Sequence, residues 1–195
     1  RDEHDLVGVI TGVVEKDKII TGERIQSGDI VLGLPSNGLH TNGYSLARKL
    51  FFEIGGYDVH DTIIELEKSV GLTLLEPHIN YTNHVFAVLD KEINVKGIAH
   101  ITGGGLVENI PRILPDDCGV EIQKGSWPIL PVFDVMQSLG DVDEDEMFRA
   151  FNMGIGMVFI VDDAKVSIVK DVLKDLIDVC EIGSVFRGNK NVTLT

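Results

Sequence analysis

The chain has few cysteines, few aromatic residues and few basic residues for its length. Of its 195 residues, two are cysteine and 6% are aromatic, and 17 Lys and Arg face 31 Asp and Glu, which gives a formal net charge of −14. Cys118 and Cys180 have no metal-ligand or redox spacing, so we predict that both are buried small hydrophobic side chains. A strongly negative field opposes the approach of a polyanion, which excludes nucleic acid as a partner.

Long apolar runs and targeting segments are also lacking. The longest apolar runs, such as residues 157–161, are far shorter than the roughly 20 residues that a membrane span requires. Residues 1–5 are mostly charged and contain no signal-peptide core. We therefore expect no membrane partner and a cytoplasmic location. The length and the hydrophobic fraction of 44% are sufficient for one well-buried core.

Short apolar segments alternate with amphipathic segments along the chain. The predicted strands are residues 6–14, 30–34, 98–101 and 157–161, followed by a terminal hairpin of residues 182–187 and 191–194 around Gly188 and Asn189. The predicted helices are residues 43–53, 81–91, 133–139, 144–151 and 165–177. This alternation predicts a mixed α+β or α/β fold in which helices cover a layered sheet.

A loop rich in Ser, Asn, Thr and Gly follows the strand at 30–34 and precedes a helix. Such a loop offers free backbone N–H groups and hydroxyls at the positive end of the helix, where proteins hold phosphate. Thr41 or Asn42 stands where the N-cap of the helix belongs. An N-capped helix after a tight turn, without a ligand, is the alternative. The candidate phosphate-binding residues are Ser36, Asn37, Gly38, His40, Thr41, Asn42 and Gly43.

A second strand, which ends near His100, also leads directly into glycines and a short helix. Three consecutive glycines lose much conformational entropy when they become ordered. A ligand or another element of the fold must therefore approach this backbone closely. His100 and Thr102 stand near the end of the strand, where open α/β sheets bind ligands. For His100, a structural hydrogen bond to a backbone carbonyl is an equally good interpretation.

The third glycine-containing segment, residues 149–157, opens a strand and predicts a bulge or a close contact with the first two loops. Asn152 is either a binding residue or a residue that stabilises the turn. The acidic residues 141–146 predict a solvated loop that leads into a helix, and we expect no metal site. The remaining histidines show no pairing in the sequence; they are His4, His60, His78 and His84.

Three segments together carry a resemblance to a known family. They are residues 33–48 (Gly-Leu-Pro-Ser-Asn-Gly-Leu-His-Thr-Asn-Gly-Tyr-Ser-Leu-Ala-Arg), residues 100–114 and residues 146–157. In this order they resemble the phosphoribosylformylglycinamidine cyclo-ligases, also called aminoimidazole ribonucleotide synthetases, of de novo purine biosynthesis. The resemblance implies the fold of the C-terminal domain of that superfamily. Residues 25–195 would then be the substrate-binding domain, and residues 1–24 the last strand and linker of an N-terminal ATP-binding domain.

The resemblance also implies an activity. In this family ATP phosphorylates the formyl amide oxygen of formylglycinamidine ribonucleotide. The amidine nitrogen then closes the imidazole ring, which gives aminoimidazole ribonucleotide, ADP and phosphate. ATP and Mg²⁺ bind mainly to the N-terminal half, which has no counterpart in this chain. We therefore expect the chain to be inactive alone, to need that half as a partner, and to form a homodimer when complete.

Particular residues follow from the same resemblance. The ribose 5′-phosphate of the substrate would lie on residues 36–43, and His40 and His100 would be the candidate catalytic residues. The groove-lining residues would be Thr102, Gly103, Gly104, Gly105, Glu108, Asn109, Asn152 and Gly154. One departure is His78, since the family usually has Thr at this position; this makes a binding role for His78 doubtful. The alternatives are a non-catalytic phosphoribosyl-binding module and a fragment of another superfamily enzyme, such as formylglycinamidine ribonucleotide synthetase.

Overall fold

A six-stranded sheet forms the centre of the computed structural model, which describes residues 7–195. The strands are β1 (Ile30–Pro35), β2 (Val95–His100), β3 (Cys118–Ile122), β4 (Ile155–Val161), β5 (Cys180–Arg187) and β6 (Val192–Leu194). Their order across the sheet is β2-β4-β1-β5-β3-β6. All neighbouring strands are antiparallel except β3 and β6, which are parallel.

Seven α-helices occur among the described residues. They are α1 (Tyr44–Arg48), α2 (Val70–Leu74), α3 (Thr82–Leu89), α4 (Gly105–Asn109), α5 (Pro131–Gly140), α6 (Glu144–Ala150) and α7 (Val166–Leu173). A π-helical segment, Lys49–Ile54, continues α1, and short 3-10 helices lie at Lys16–Lys18, Ile64–Leu66, Ile110–Ile113 and Asp163–Lys165. No helix in this part of the chain is long and apolar enough to cross a membrane.

The central strands are buried on both faces, as their nearly continuous apolar sequences predict. Along β4, Val158 and Ile160 belong to one hydrophobic cluster, whereas Phe159 and Val161 belong to a second cluster on the opposite face. Side chains of α5 and α6 pack in the first cluster and side chains of α3 and α7 in the second. Helices therefore cover a layered sheet, and the predicted mixed α+β fold class is confirmed.

The predicted terminal hairpin is wrong. β5 and β6 are not neighbours, because β3 lies between them and pairs with both. The turn after β5 bonds to the beginning of β3: Gly188 N–H donates to the Asp117 carbonyl, and Lys190 N–H donates to the Cys118 carbonyl. The turn residues were recognised in the sequence, but they carry the chain across β3, a strand that the sequence analysis missed.

Residues 7–14 form no strand, although the sequence predicts one over 6–14. Leu6 lies outside the described residues. Val7, Val9, Ile10 and Val13 are between 87% and 100% exposed, and no strand in the described part of the chain pairs with them. An isolated strand has no partner for its backbone groups and is not stable alone. The assignment of residues 1–24 to another domain remains a prediction.

The free cysteines differ in their burial. Cys118, in β3, is 4% exposed and packs in the first hydrophobic cluster, as predicted. Cys180, at the start of β5, is only partly buried, so the prediction that it is buried is wrong. The acidic segment 141–146 forms the turn before α6 and the first turn of that helix, where Asp143 is the N-cap and accepts a hydrogen bond from Asp145 N–H at 2.9 Å. The prediction of a solvated loop leading into a helix is confirmed.

A buried ion pair connects β2 to the residue before β1. Lys96 Nζ lies 2.5 Å from Asp29 Oδ1, and the two side chains are 8% and 2% exposed. The second oxygen of Asp29 accepts a hydrogen bond from Gln26 N–H at 2.9 Å. Removal of one member of such a pair leaves an uncompensated buried charge.

We predict that Lys96→Met lowers the free energy of unfolding by about 3–5 kcal/mol, because Asp29 loses its counterion in a buried position. Urea unfolding followed by circular dichroism measures the effect. The matched control is Lys170→Met, which breaks the exposed pair between Lys170 and Glu181 and is expected to cost about 1 kcal/mol or less. Equal losses in the two variants would contradict the prediction.

Candidate functional site

Three loops meet at one end of the sheet. They are residues 36–43 after β1 (the first loop), residues 101–105 after β2 (the triglycine loop) and residues 151–154 before β4 (the third loop). Because β4 is antiparallel to both β1 and β2, its first residues lie beside the last residues of both strands. His100 at the end of β2 lies opposite Met157, and Ser36 N–H after β1 donates to the Gly154 carbonyl at 2.8 Å. The register also shifts between β1 and β4 at this end. The predicted bulge and the predicted contact of the third segment with the first two loops are confirmed.

The side chain of Asn152 connects the first loop to the third. It is completely buried. Its Oδ1 accepts hydrogen bonds from Ser36 Oγ at 2.9 Å and from Gly154 N–H at 2.8 Å, and its Nδ2 donates to the Gly38 carbonyl at 2.9 Å. The side chains of Ser36 and Asn152 are therefore occupied within the protein. This geometry favours a role in positioning the loop over direct contact with a ligand.

Asn109, the last residue of α4, holds the triglycine loop as Asn152 holds the first loop. Its Oδ1 accepts a hydrogen bond from Thr102 Oγ1 at 3.0 Å, and its Nδ2 donates to the carbonyls of Gly103 and Gly105 at 3.1 and 2.7 Å. Asn109 is 4% exposed. The triglycine loop is thus fixed by a buried amide at the end of α4.

Another element of the fold accounts for one of the three glycines. Gly105 has a φ of +59°, and a Cβ at this position would lie 1.9 Å from the Phe148 carbonyl oxygen in α6. Of the two explanations offered by the sequence, a ligand or a neighbouring element, the neighbouring element explains Gly105. Gly103 has open space around its Cα, and Glu108 is exposed.

The first loop does not cap α1 with a side chain, so the predicted N-cap at Thr41 or Asn42 is wrong. The N-cap is Gly43, which has a φ of 80° that only glycine adopts readily. Asn42 instead donates from Nδ2 to the Ala150 carbonyl at 3.0 Å. Its Oδ1 is buried without a hydrogen-bond partner in the described part of the chain.

Unused hydrogen-bond donors remain in the first loop. Within the described residues, the backbone N–H groups of residues 37–41 make no hydrogen bond to the protein. Thr41 is exposed, and its hydroxyl also makes no hydrogen bond to the described residues. The other residues of the loop are held by Asn152 and by the bond of Asn42 to α6. The loop is thus held by Asn152 and Asn42, and the N–H groups of residues 37–41 have no partner among the described residues, although Gly38, Leu39 and His40 are buried.

Three histidines from different parts of the sequence lie against one another beside these loops. The ring centroids of His40 and His78 are 4.0 Å apart, and those of His78 and His100 are 5.1 Å apart. The Nε2 atoms of His78 and His100 lie 3.2 Å apart. The prediction that His78 has no pairing is therefore wrong. No local sequence signal could have found it, because the pairing is formed entirely by the tertiary fold.

The tautomer of His40 follows from its neighbours. Asn37 donates from Nδ2 to the Pro77 carbonyl at 2.7 Å, which directs its Oδ1 towards His40 Nε2 at 3.2 Å. Because that oxygen is an acceptor, His40 Nε2 carries the proton and Nδ1 carries a lone pair. His40 is 4% exposed, and this Nδ1 has no partner in the described part of the chain.

The environment of His40 keeps it neutral. Burial above all, together with the neighbouring His78 and His100, lowers the pKa of His40 from 6.5 to about 3. Gly156 makes room for this arrangement, since a Cβ there would meet the His40 ring and the Tyr81 hydroxyl. At neutral pH, His40 can accept a hydrogen bond through Nδ1 and is a weak base.

Tyr81 is a second residue of this region that the sequence analysis missed. Its hydroxyl donates to the Pro35 carbonyl at 2.6 Å, and burial raises the pKa of Tyr81 well above its usual range. An open groove of about 490 Å³ begins beside it. The groove is lined mainly by His78, Tyr81, Val85, Phe86, His100 and Met157.

Among the described residues, no group of three or more His, Cys, Asp or Glu side chains converges where a metal ion could bind. Mg²⁺ is a hard cation that prefers several oxygen ligands. The donor atoms in this part of the chain therefore do not fit an Mg²⁺ site, and none of the chemistry derived below uses one.

The model of the family "AIR synthase related protein, C-terminal domain" matches residues 26–194. The chain belongs to this family. It is 49% identical over 160 residues to a phosphoribosylformylglycinamidine cyclo-ligase of Geobacillus thermodenitrificans, which covers 82% of the chain and 46% of that protein. A cyclo-ligase of Caldanaerobacter subterraneus subsp. tengcongensis is 45% identical over 196 residues, which covers 98% of the chain and 57% of that protein. The chain spans about half the length of these curated relatives.

Solved structures of more distant proteins share the fold. A thiamine-monophosphate kinase from Stenotrophomonas maltophilia has a TM-score of 0.61 at 16% identity, over 93% of this chain and 54% of that one. The hydrogenase maturation protein HypE of E. coli has a TM-score of 0.60 at 20% identity, over 94% and 51%. These likenesses support the architecture predicted from the sequence.

We predict that His40 makes stability depend on pH. Between pH 6.5 and about 3, the unfolded chain binds a proton at His40 that the folded chain does not bind. The free energy of unfolding therefore falls as the pH decreases through this range. Urea unfolding of the wild type and of His40→Asn at roughly pH 7 and pH 5 measures the difference, and the variant is expected to show the smaller decline.

His60→Asn is the matched control, because His60 is exposed and its replacement is expected to leave the pH-dependence of the wild type unchanged. A full wild-type decline in His40→Asn would show that His40 is not kept neutral by the fold.

Proposed function

We propose that the chain is the substrate-binding C-terminal part of an ATP-dependent cyclo-ligase. The complete enzyme would convert formylglycinamidine ribonucleotide to aminoimidazole ribonucleotide, ADP and phosphate. The identity of about half of all aligned residues to proteins named as this cyclo-ligase supports the proposal. The structural observation that carries it is the first loop, whose backbone N–H groups stay free while Asn152 fixes its shape.

The ribose 5′-phosphate of the substrate would bind to this loop. A phosphate needs several hydrogen-bond donors, and the unpartnered N–H groups of residues 37–41, together with the exposed Thr41 hydroxyl, would supply them. No Lys or Arg lies between residues 36 and 43. The loop would therefore hold the phosphate through neutral groups, which at contact range outweigh the distant negative field of the protein.

The rest of the substrate would extend from the loop towards the histidines and the triglycine loop. His40 is 4% exposed and its Nδ1 is buried, so it would shape the surface behind the substrate without touching it. Because its pKa is about 3, His40 would not act as the base that removes a proton from the substrate. His100 is exposed at the end of β2 and is the remaining candidate for a base in the ring closure.

The ATP half would come from the region that the relatives have beyond this chain. ATP converts the formyl amide oxygen into a leaving group, and ring closure then needs mainly positioning and charge stabilisation. The loops described here would provide the positioning of the ribonucleotide. In this proposal the chain is inactive alone, and the complete enzyme is a cytosolic homodimer assembled through the ATP half.

We predict that the chain binds formylglycinamidine ribonucleotide in calorimetric titration and does not bind ATP. Thr41→Val combined with Asn42→Ala is expected to weaken the binding of the ribonucleotide by about tenfold or more, because Thr41 loses its hydroxyl donor to the phosphate and Asn42 loses the bond to Ala150 that holds the loop. The matched control is Thr193→Val combined with Asn189→Ala, two exposed positions near the C-terminus. Unchanged affinity in a folded Thr41 and Asn42 variant would contradict the phosphate assignment.

The reaction itself is tested by joining an ATP half to this chain. A chimera that carries the N-terminal half of the Geobacillus relative before residue 25 is expected to form aminoimidazole ribonucleotide only when ATP is present. A folded chimera that binds the ribonucleotide without ATP-dependent turnover would indicate a non-catalytic binding module. A requirement for ammonia derived from glutamine would indicate a formylglycinamidine ribonucleotide synthetase instead.

A further inference from the structure

His78 and His100 lie side by side at the groove, and nothing in the proposed reaction uses them as a pair. We propose that their two Nε2 atoms form a binding site for one divalent transition-metal ion of the kind that prefers imidazole ligands, represented by Zn²⁺. The proposal concerns the chain by itself and does not depend on the cyclo-ligase reaction or on an ATP half.

The separation of the two nitrogens fits a shared metal ion. Two Zn–N bonds of about 2.0–2.1 Å at a tetrahedral angle place their nitrogens roughly 3.3 Å apart. The Nε2 atoms of His78 and His100 are 3.2 Å apart without any rearrangement. The fold has therefore already brought two nitrogen ligands to the separation that one ion requires, so little ordering is needed on binding.

Both imidazoles can adopt the tautomer that a metal ion needs. In the absence of a metal, one Nε2 must donate its proton to the other. On metal binding, that proton moves to Nδ1 of the same ring, so that both Nε2 atoms present lone pairs and no net proton is released. Neither Nδ1 of the pair makes a hydrogen bond to the described residues. The change of tautomer therefore breaks no contact with the rest of the protein.

The surroundings favour a cation over an anion at this position. Strong anion binding by both Nε2 atoms would need both rings protonated, and two positive charges at this separation repel each other strongly. The net charge of −14 raises the local concentration of cations. The remaining coordination positions face the groove, where water or an anionic ligand can complete the shell.

His40 packs behind the pair and is not a ligand in this proposal. Its ring centroid lies 4.0 Å from that of His78, and its Nδ1 is buried. Among the described residues no three His, Cys, Asp or Glu side chains converge on one point, so the ion would have two protein ligands, and its other ligands would come from the groove.

The ligand chemistry of the proposed site separates it from any Mg²⁺ site. Imidazole selects Zn²⁺, Cu²⁺ or Ni²⁺ over Mg²⁺. A metal ion bound here would therefore be separate from the Mg²⁺ that accompanies ATP.

Titration calorimetry of the chain with Zn²⁺ in a metal-free buffer tests the proposal. One equivalent of Zn²⁺ is expected to bind to the wild type, with an affinity about tenfold or more weaker in His78→Thr and in His100→Ala, since each loses one of two ligands. The controls are His60→Ala and Cys180→Ser, which remove an exposed imidazole and a partly exposed thiol elsewhere and should bind Zn²⁺ like the wild type.

Electron paramagnetic resonance with one equivalent of Cu²⁺ gives a readout of the ligands themselves. The wild-type spectrum is expected to show coupling to two imidazole nitrogens, and that of His78→Thr to one. Thermal unfolding of each variant without metal verifies that it folds. Unchanged Zn²⁺ affinity in folded His78→Thr and His100→Ala, or loss of binding in His60→Ala or Cys180→Ser alone, would overturn the proposal.

Discussion

The antiparallel pairing of β4 with both β1 and β2 is the constraint on which the rest of the structure depends. It places the beginning of one strand between the ends of two others, so three polar loops from distant parts of the sequence share one edge of the sheet. Three residues stabilise or make room for the loops at this edge. Asn152 ties the first loop to the third, and Asn109 closes the triglycine loop. Gly156 leaves space for His40 between the strands. The contacts of Asn152 and of Gly156 depend on the position of β4, whereas those of Asn109 are local to its own loop.

The polar side chains of the site fall into two groups with different physical tasks. Ser36, Asn109 and Asn152 make their hydrogen bonds within the protein. The conformational entropy of the loops is therefore lost on folding and not on binding of a ligand. The backbone N–H groups of residues 37–41, the Thr41 hydroxyl and the His40 Nδ1 remain free in the described part of the chain. A site divided in this way is preorganised, because binding does not compete with the bonds that shape it. The division also explains why residues of similar chemistry, such as Ser36 and Thr41, have different roles.

The sequence predicted the elements whose periodicity is strong and missed those defined by distant partners. β1 and β4 are apolar runs bounded by glycines or polar loops, and the helix around α7 has a regular apolar face, so all three were found. β3 is short, and its alternation becomes visible only once β5 and β6 pair on either side of it. Thr41 and Asn42 have the composition of an N-cap, but the bond of Asn42 to Ala150 draws its side chain away from α1. His78 could not be placed, because its contacts with His40 and His100 arise from three separate segments.

The electrostatic character of the site follows from the same division of tasks. The chain carries a net charge of −14, and the first loop and the triglycine loop contain no Lys or Arg. Anion recognition at this edge therefore has to rely on directed neutral donors, whose strength depends on their angles and on the exclusion of water. Hydrogen bonds from neutral backbone donors weaken when the loop moves, because they depend on direction. A lysine has a flexible side chain and can keep its contact with an anion when the backbone shifts. In the proposed phosphate site, the bonds of Asn152 to the first loop would keep these neutral donors in place.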